Sequence, residues 1–196
     1  SSPNTENLRS FHNENELNEL LGLIEKEKKI LKTTIPIAVK ISPDIEYKNI
    51  NLISDLLLKY NIEAIIISNT TDKNRENLSN INKLEKGGLS GKPLEKRSNE
   101  LINEFYKILK NKIKIIGVGG VDSGESAYKK IINGASLVQL YTGMIYQGPN
   151  IASKISKELI NILDKEGVKN ISDIVGSKNW SWLVTLEHLY NHKFYV

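Results

Sequence analysis

The sequence predicts an α/β fold and, within that class, the C-terminal half of a (β/α)8 barrel. Three observations carry the prediction. Short β-branched runs alternate with amphipathic stretches, the runs are almost continuously apolar, and potential ligand groups stand at or just after the C-terminal end of each run. Alternating strands and helices imply parallel strands joined by crossovers, and continuous apolar runs suit strands covered on both faces. An open doubly wound sheet and a barrel both meet those conditions. Four consecutive strands that each end in ligand groups favour the barrel, whose site is built from the loops after successive strands. A whole barrel takes eight strands and about 250 residues. With 196 residues the chain supplies four strands and the tail of one more, the second half of a barrel.

The strands are read at 35–41, with Pro36 near the start, and at 64–68, 113–118 and 137–141. Between them, Leu17, Leu20, Leu21 and Ile24 recur at helical spacing after Asn13, which with Glu16 offers a capping-box-like start. Ile50, Ile53, Leu56 and Leu57 mark a second helix, and Leu101, Ile102, Phe105, Ile108 and Leu109 a third. Ala127, Tyr128, Ile131 and Ile132 form a short fourth, closed by Gly134. Ile151, Ile155, Leu159, Ile162 and Leu163 form a fifth, closed by Gly167. No internal repeat is evident beyond this alternation.

Composition narrows the function. Hydrophobic residues make up 39% and charged residues 26%, enough apolar material for one core. The net charge of +4 is dispersed: Lys26, Lys28 and Lys29 alternate with Glu25 and Glu27, the pattern of a solvated helix face. Nucleic-acid binding needs a clustered basic stripe and is not expected. The absence of cysteine removes disulfides, thiolate metal sites and a cysteine nucleophile or base. Only His12, His188 and His192 offer imidazoles, so a His-based triad or metal site is not expected. No apolar run approaches the ~18 residues that span a bilayer, and the segment reads as soluble and intracellular.

The strand ends carry the chemistry. Gly117-Val118-Gly119-Gly120 precedes a helix start, Asp122-Ser123-Gly124-Glu125, rich in capping residues. Glycines let backbone amides approach an anion, and a helix N-terminus favours negative charge. The spacing does not fit the dinucleotide fingerprint, and a tight turn is the competing reading. Tyr141-Thr142-Gly143 ends the next strand, and the last two loops of a barrel are where phosphate is commonly held. Lys40 could place a cation beside a developing anion, or simply snorkel from its strand end. Asn69-Thr70-Thr71 could hydrogen-bond a planar polar ligand, or merely shape a turn. The loop 86–94 embeds Leu89, Pro93 and Leu94 among glycines, which suits a binding loop better than a linker. At the start, Ser1-Ser2-Pro3-Asn4-Thr5 with Leu8-Arg9-Ser10 reads as the end of a strand inside a site, since the proline biases Ser2 to an extended backbone, and a disordered polar terminus is the competing reading.

Taken together, these strings resemble dihydroorotate dehydrogenase of class 2, the membrane-associated, quinone-using form. Lys40-Ile41-Ser42-Pro43-Asp44, Ser68-Asn69-Thr70-Thr71, Gly87-Gly88-Leu89-Ser90-Gly91-Lys92-Pro93-Leu94, Ile115-Ile116-Gly117-Val118-Gly119-Gly120-Val121 and Gly134-Ala135-Ser136-Leu137-Val138-Gln139-Leu140-Tyr141-Thr142 occur in that family's order. The resemblance implies an FMN-containing barrel that oxidises dihydroorotate to orotate in pyrimidine (UMP) synthesis. It implies Ser2 as catalytic base, with Asn4, Asn69 and Thr70 on the orotate ring and carboxylate. Lys40, Ser68, Gly91, Gly120, Tyr141 and Thr142 become FMN contacts, the last three near its phosphate. Other phosphate-binding barrel enzymes, and a half-barrel that binds phosphate without turnover, are the competing readings.

The resemblance covers residues 1–178, a partial FMN- and orotate-binding barrel, and leaves 179–196 as an unmatched aromatic-rich tail. There Trp182, Leu183, Leu186 and Leu189 would share a helical face suited to a partner. It also implies an upstream half carrying the membrane-associating helices, the quinone entrance and the first strands. The full-length family would then sit on the bacterial cytoplasmic membrane or the mitochondrial inner membrane.

Overall fold

A computed structural model describes residues 2, 11, 13–73, 75–76 and 78–180. Four strands, β1 (Ala38–Ile41), β2 (Ala64–Ile67), β3 (Lys114–Val118) and β4 (Leu137–Gln139), form one parallel sheet in the order β1-β2-β3-β4. Strand order follows chain order with no reversal. A doubly wound sheet reverses at a switch point, so the topology is that of consecutive βα units of a barrel.

The helices are α1 (Glu14–Ile30), α2 (Lys48–Lys59), α3 (Glu95–Leu109), α4 (Gly124–Asn133), α5 (Thr142–Gln147) and α6 (Ile151–Glu166). α1 to α4 pack neighbour against neighbour as one layer. The core lies between that layer and the sheet. Ile65 and Ile67 of β2 meet Leu57 of α2 and Leu101, Ile102 and Phe105 of α3, all wholly buried. Each such side chain contributes about 1.5–3 kcal/mol of burial. A second cluster, Val121, Ala127, Ile151 and Ile155, fastens α4 and α6 beneath the last loops.

The strands differ from expectation in one respect. Their apolar runs suggested cover on both faces, yet burial alternates: Ile41, Ile65, Ile67 and Ile115 are buried, whereas Lys40 is exposed and Ile66 and Ile116 only half-buried. The helix layer covers one face, and the other faces what is the interior of a barrel.

The ends shift for local reasons. β1 starts at Ala38 because Pro36 has no N–H and the Ile37 N–H donates to the Glu63 carboxylate at 2.7 Å. Asn13 caps α1 by backbone geometry only, so the capping box read at Asn13 and Glu16 does not form. Gly134 and Gly167 close α4 and α6 as expected, each with positive φ. Tyr141 and Thr142 leave the sheet: Gln139 ends β4, and Thr142 opens α5, a helix too short for periodicity to reveal.

Candidate functional site

The C-terminal ends of all four strands open into one cleft of about 690 Å³, within the range of small-molecule and cofactor sites. Eight residues singled out from the sequence line it: Lys40, Ser68, Asn69, Thr70, Gly91, Gly120, Tyr141 and Thr142. They come from four separate βα junctions, which only the parallel, in-order sheet brings together. Ser2 is half-buried and is not among the lining residues. Asn4 and the apolar face of the 181–196 tail lie outside the described residues.

The floor is the β3–α4 corner. Gly120 has φ +74°, and a Cβ there would stand 2.5 Å from Glu95 Cβ, so only glycine fits. Gly91 on the opposite wall has φ +77°, and its Cβ would stand 2.8 Å from Thr142 Cγ2. The β2–α3 loop is held against that wall by a hydrogen bond from Thr142 Oγ1 to Ser90 Oγ at 2.8 Å. Its stem is closed by the Thr71–Leu89 bridge, and Arg75 donates to the carbonyls of Lys83, Glu85 and Gly87.

The glycine string is divided in its work. Gly119 and Gly120 line the cleft, but Gly117 lies buried within β3 with its α-carbon turned to the helix layer. A Cβ on Gly117 would meet Lys130, Ala135 and Ile102 at 3.0–3.1 Å. Its glycine therefore serves packing rather than the anion.

The helix start also differs from the sequence reading. Ser126 Oγ accepts from the Asp122 and Ser123 amides, both at 3.0 Å, and Ser123 Oγ accepts from the Ser126 amide at 3.2 Å, a closed capping box. The Gly124 amide donates to Glu158 at 2.6 Å. The first amides of α4 are thus used inside the protein. Among the described residues, those of Gly120, Val121, Thr142 and Gly143 find no protein acceptor. Together with those of Gly91, Gly119 and Tyr141, which likewise find no protein acceptor among the described residues, they are donors available to an anion in the cleft.

Two cations border the space differently. Lys40 makes no ion pair among the described residues. Lys92 is bound to Glu95 at 2.6 Å and Asp122 at 3.2 Å. The hydrogen bond to Glu95, ahead of that to Asp122, holds its ammonium above the usual lysine range. Ser68 donates through its amide to the Val118 carbonyl at 3.2 Å, and the Thr70 amide donates to Asn69 Oδ1 at 2.8 Å. Asn69 and Thr70 thereby add a hydrogen-bonded polar pair to the lining of the cleft. Ser90, Lys92, Asp122 and Gln147 also line the cleft and were not singled out. Ser90 and Lys92 lay inside the glycine-rich string and Asp122 in the helix start rich in capping residues, but Gln147, which donates to the Asp122 carbonyl at 2.9 Å, gave no signal.

The family model for dihydroorotate dehydrogenase matches residues 1–163. The dihydroorotate dehydrogenase (quinone) of Trichodesmium erythraeum is 45% identical over 189 residues, covering 91% of this chain and 48% of the relative. The mitochondrial dihydroorotate dehydrogenase (quinone) of Mus musculus is 40% identical over 178 residues, covering 90% of this chain and 45% of the relative. Among solved structures, the Eimeria tenella enzyme in complex with ferulenol matches with a TM-score of 0.88 and 34% identity, over 92% of this chain and 53% of that one. The chain spans about half the length of the curated relatives it matches. Its in-order parallel sheet is the C-terminal half of a (β/α)8 barrel, and with a family match over most of its length the chain belongs to the dihydroorotate dehydrogenase family.

Proposed function

We propose that the protein oxidises (S)-dihydroorotate to orotate in de novo pyrimidine synthesis, with FMN as hydride acceptor and a quinone as final electron acceptor. The observation that carries this reading is the convergence of Lys40, Asn69, Thr70, Gly120 and Thr142 on one cleft, whose lining combines amide donors with polar side chains. In this reading residues 1–178 work as one unit and 179–196 as a separate tail. Quinone and membrane are met through the family's upstream helices, on the bacterial cytoplasmic or mitochondrial inner membrane.

The donor set fits FMN. Unclaimed amides at Gly120, Val121, Thr142 and Gly143 suit a phosphate, and Tyr141 and Thr142 flank them. Ser68, Gly91 and Lys40 line the same cleft. When bound, FMN supplies a two-electron acceptor for the hydride leaving substrate C6.

This chain's residues do the rest. Asn69 and Thr70, joined by Asn4, hold the ring and carboxylate of the substrate by complementary donors and acceptors. Ser2 takes the proton from C5 while passing its own hydroxyl proton onward, since a serine hydroxyl is a weak base unaided. The C5–H and C6–H bonds break, a C5–C6 double bond forms, and the proton reaches solvent. Lys40 would hold its ammonium beside the flavin, where a cation stabilises developing negative charge.

The test is the visible spectrum of the full-length protein with FMN, before and after anaerobic dihydroorotate. Bleaching of a bound flavin band is the expected result. A bound flavin that dihydroorotate leaves fully oxidised contradicts the reading.

A further inference from the structure

Lys130 on α4 takes no part in the reaction above, yet it is wholly buried (0% exposed). Its ammonium donates to Ser98 Oγ and Asn99 Oδ1 on α3, each at 3.0 Å. Among the described residues no carboxylate pairs with it. A buried cation held by neutral oxygens alone is costly. The fold makes room for it deliberately: Gly117 in β3 lacks the Cβ that would stand 3.0 Å from Lys130 Cδ.

The lysine acts through Ser98. The Ser98 hydroxyl donates to the Val118 carbonyl at 2.6 Å, with the Ile67 carbonyl at 3.3 Å. The same Val118 carbonyl accepts from the Ser68 amide at 3.2 Å. One carbonyl therefore joins the ends of β2 and β3, where the chain turns into Ser68-Asn69-Thr70 on one side and Gly119-Gly120 on the other. Ser68, Val118, Gly119 and Gly120 all line the cleft.

We infer that Lys130 is a positioning residue for the phosphate end of the cleft: its buried ammonium fixes Ser98 and the β2–β3 junction and lends positive charge behind the free amides. The inference deepens the FMN reading and rests on it. Desolvation pushes the Lys130 amine down to about 7. Among the described residues the charges acting on it are Glu95, at the start of α3, which raises it, and Lys92, just before α3, which lowers it. A phosphate bound in the cleft favours the protonated amine, and by linkage the protonated amine favours the phosphate. Affinity for the phosphate ligand is therefore highest below pH 7 and falls as the pH rises through 7. The second ionisation of the phosphate, near pH ~6, acts on every variant alike, so a comparison of variants isolates the lysine.

The experiment measures FMN affinity of the full-length apoprotein by flavin fluorescence between pH 6 and 9, for wild type and Lys130→Met. Melting temperatures verify the fold. A parallel measurement follows the Lys130 amine by NMR in wild type, with and without FMN, so the outcome does not depend on the variant folding. At pH 6 wild type is expected to bind FMN about tenfold more tightly than Lys130→Met, the effect of one poorly screened charge. The gap closes by pH 9, and FMN raises the pKa of the Lys130 amine. Parallel pH profiles with an amine that FMN leaves unmoved overturn the inference while leaving the FMN reading intact. Wild type that binds no FMN at any pH overturns both.

Discussion

The two helices that start on the rim of the cleft use their first amides in opposite ways. α4 consumes its own: Ser126 takes the amides of Asp122 and Ser123, and Glu158 takes that of Gly124. Among the described residues, α5 leaves the amides of Thr142 and Gly143 without a protein acceptor, as the β3–α4 loop leaves those of Gly120 and Val121. Both starts carry the positive end of a helix dipole. Only one has donors left to offer. A helix N-terminus can serve an anion only where the local side chains decline to satisfy it, and in the proposed reading the capping box on α4 leaves that role to the glycines and α5.

Substitutions at the two corners can break that comparison. Gly120→Ala is expected to have the largest effect. The positive φ and the collision with Glu95 destabilise by about 2–4 kcal/mol, and FMN affinity is lost with the floor of the cleft, as calorimetry and flavin fluorescence would record. Retained affinity would mean that the corner is not the anion site. Asn69→Ala should come next, lowering orotate affinity at least tenfold while FMN affinity stays within about twofold. Loss of FMN instead would place Asn69 on the cofactor.

On the α4 side the expectation reverses. Ser126→Ala opens the capping box and costs about 1–2 kcal/mol in chemical denaturation, but FMN affinity should change by no more than about threefold. A large affinity loss with little destabilisation would show α4 to be the anion site after all. Thr142→Val, on the other side, should cost under ~1 kcal/mol of stability, because it removes one partly buried hydrogen bond to Ser90. Its FMN affinity falls a few-fold as the β2–α3 loop loses its hold, and an unchanged affinity would limit Thr142 to structure.

Much of this contrast was legible in the sequence and part of it was not. The strands and the five longer helices show through their apolar spacing, because each buries one face against its neighbours. Seven of the eight lining residues stand at strand ends, which a parallel in-order sheet collects, and Gly91 lies in the glycine-rich loop between β2 and α3. Three features escaped for physical reasons. The closure of α4 depends on Glu158, 34 residues away, and on Ser126 acting where a capping box usually carries Glu or Gln. Gly117 belongs to the same string as Gly119 and Gly120, but it lies inside β3 against the helix layer, where it admits Lys130, whereas the other two follow the strand's end. Lys130 itself sits in an ordinary amphipathic pattern, Tyr128-Lys129-Lys130-Ile131, in which nothing distinguishes the buried lysine from its exposed neighbour.

The most direct test of the account is a crystal structure of the full-length protein with FMN. Phosphate oxygens are expected ~2.7–3.2 Å from the amides of Gly120, Val121, Thr142 and Gly143, with the Gly124 amide still bonded to Glu158. A phosphate seated instead on the first turn of α4, with Glu158 displaced, would contradict it.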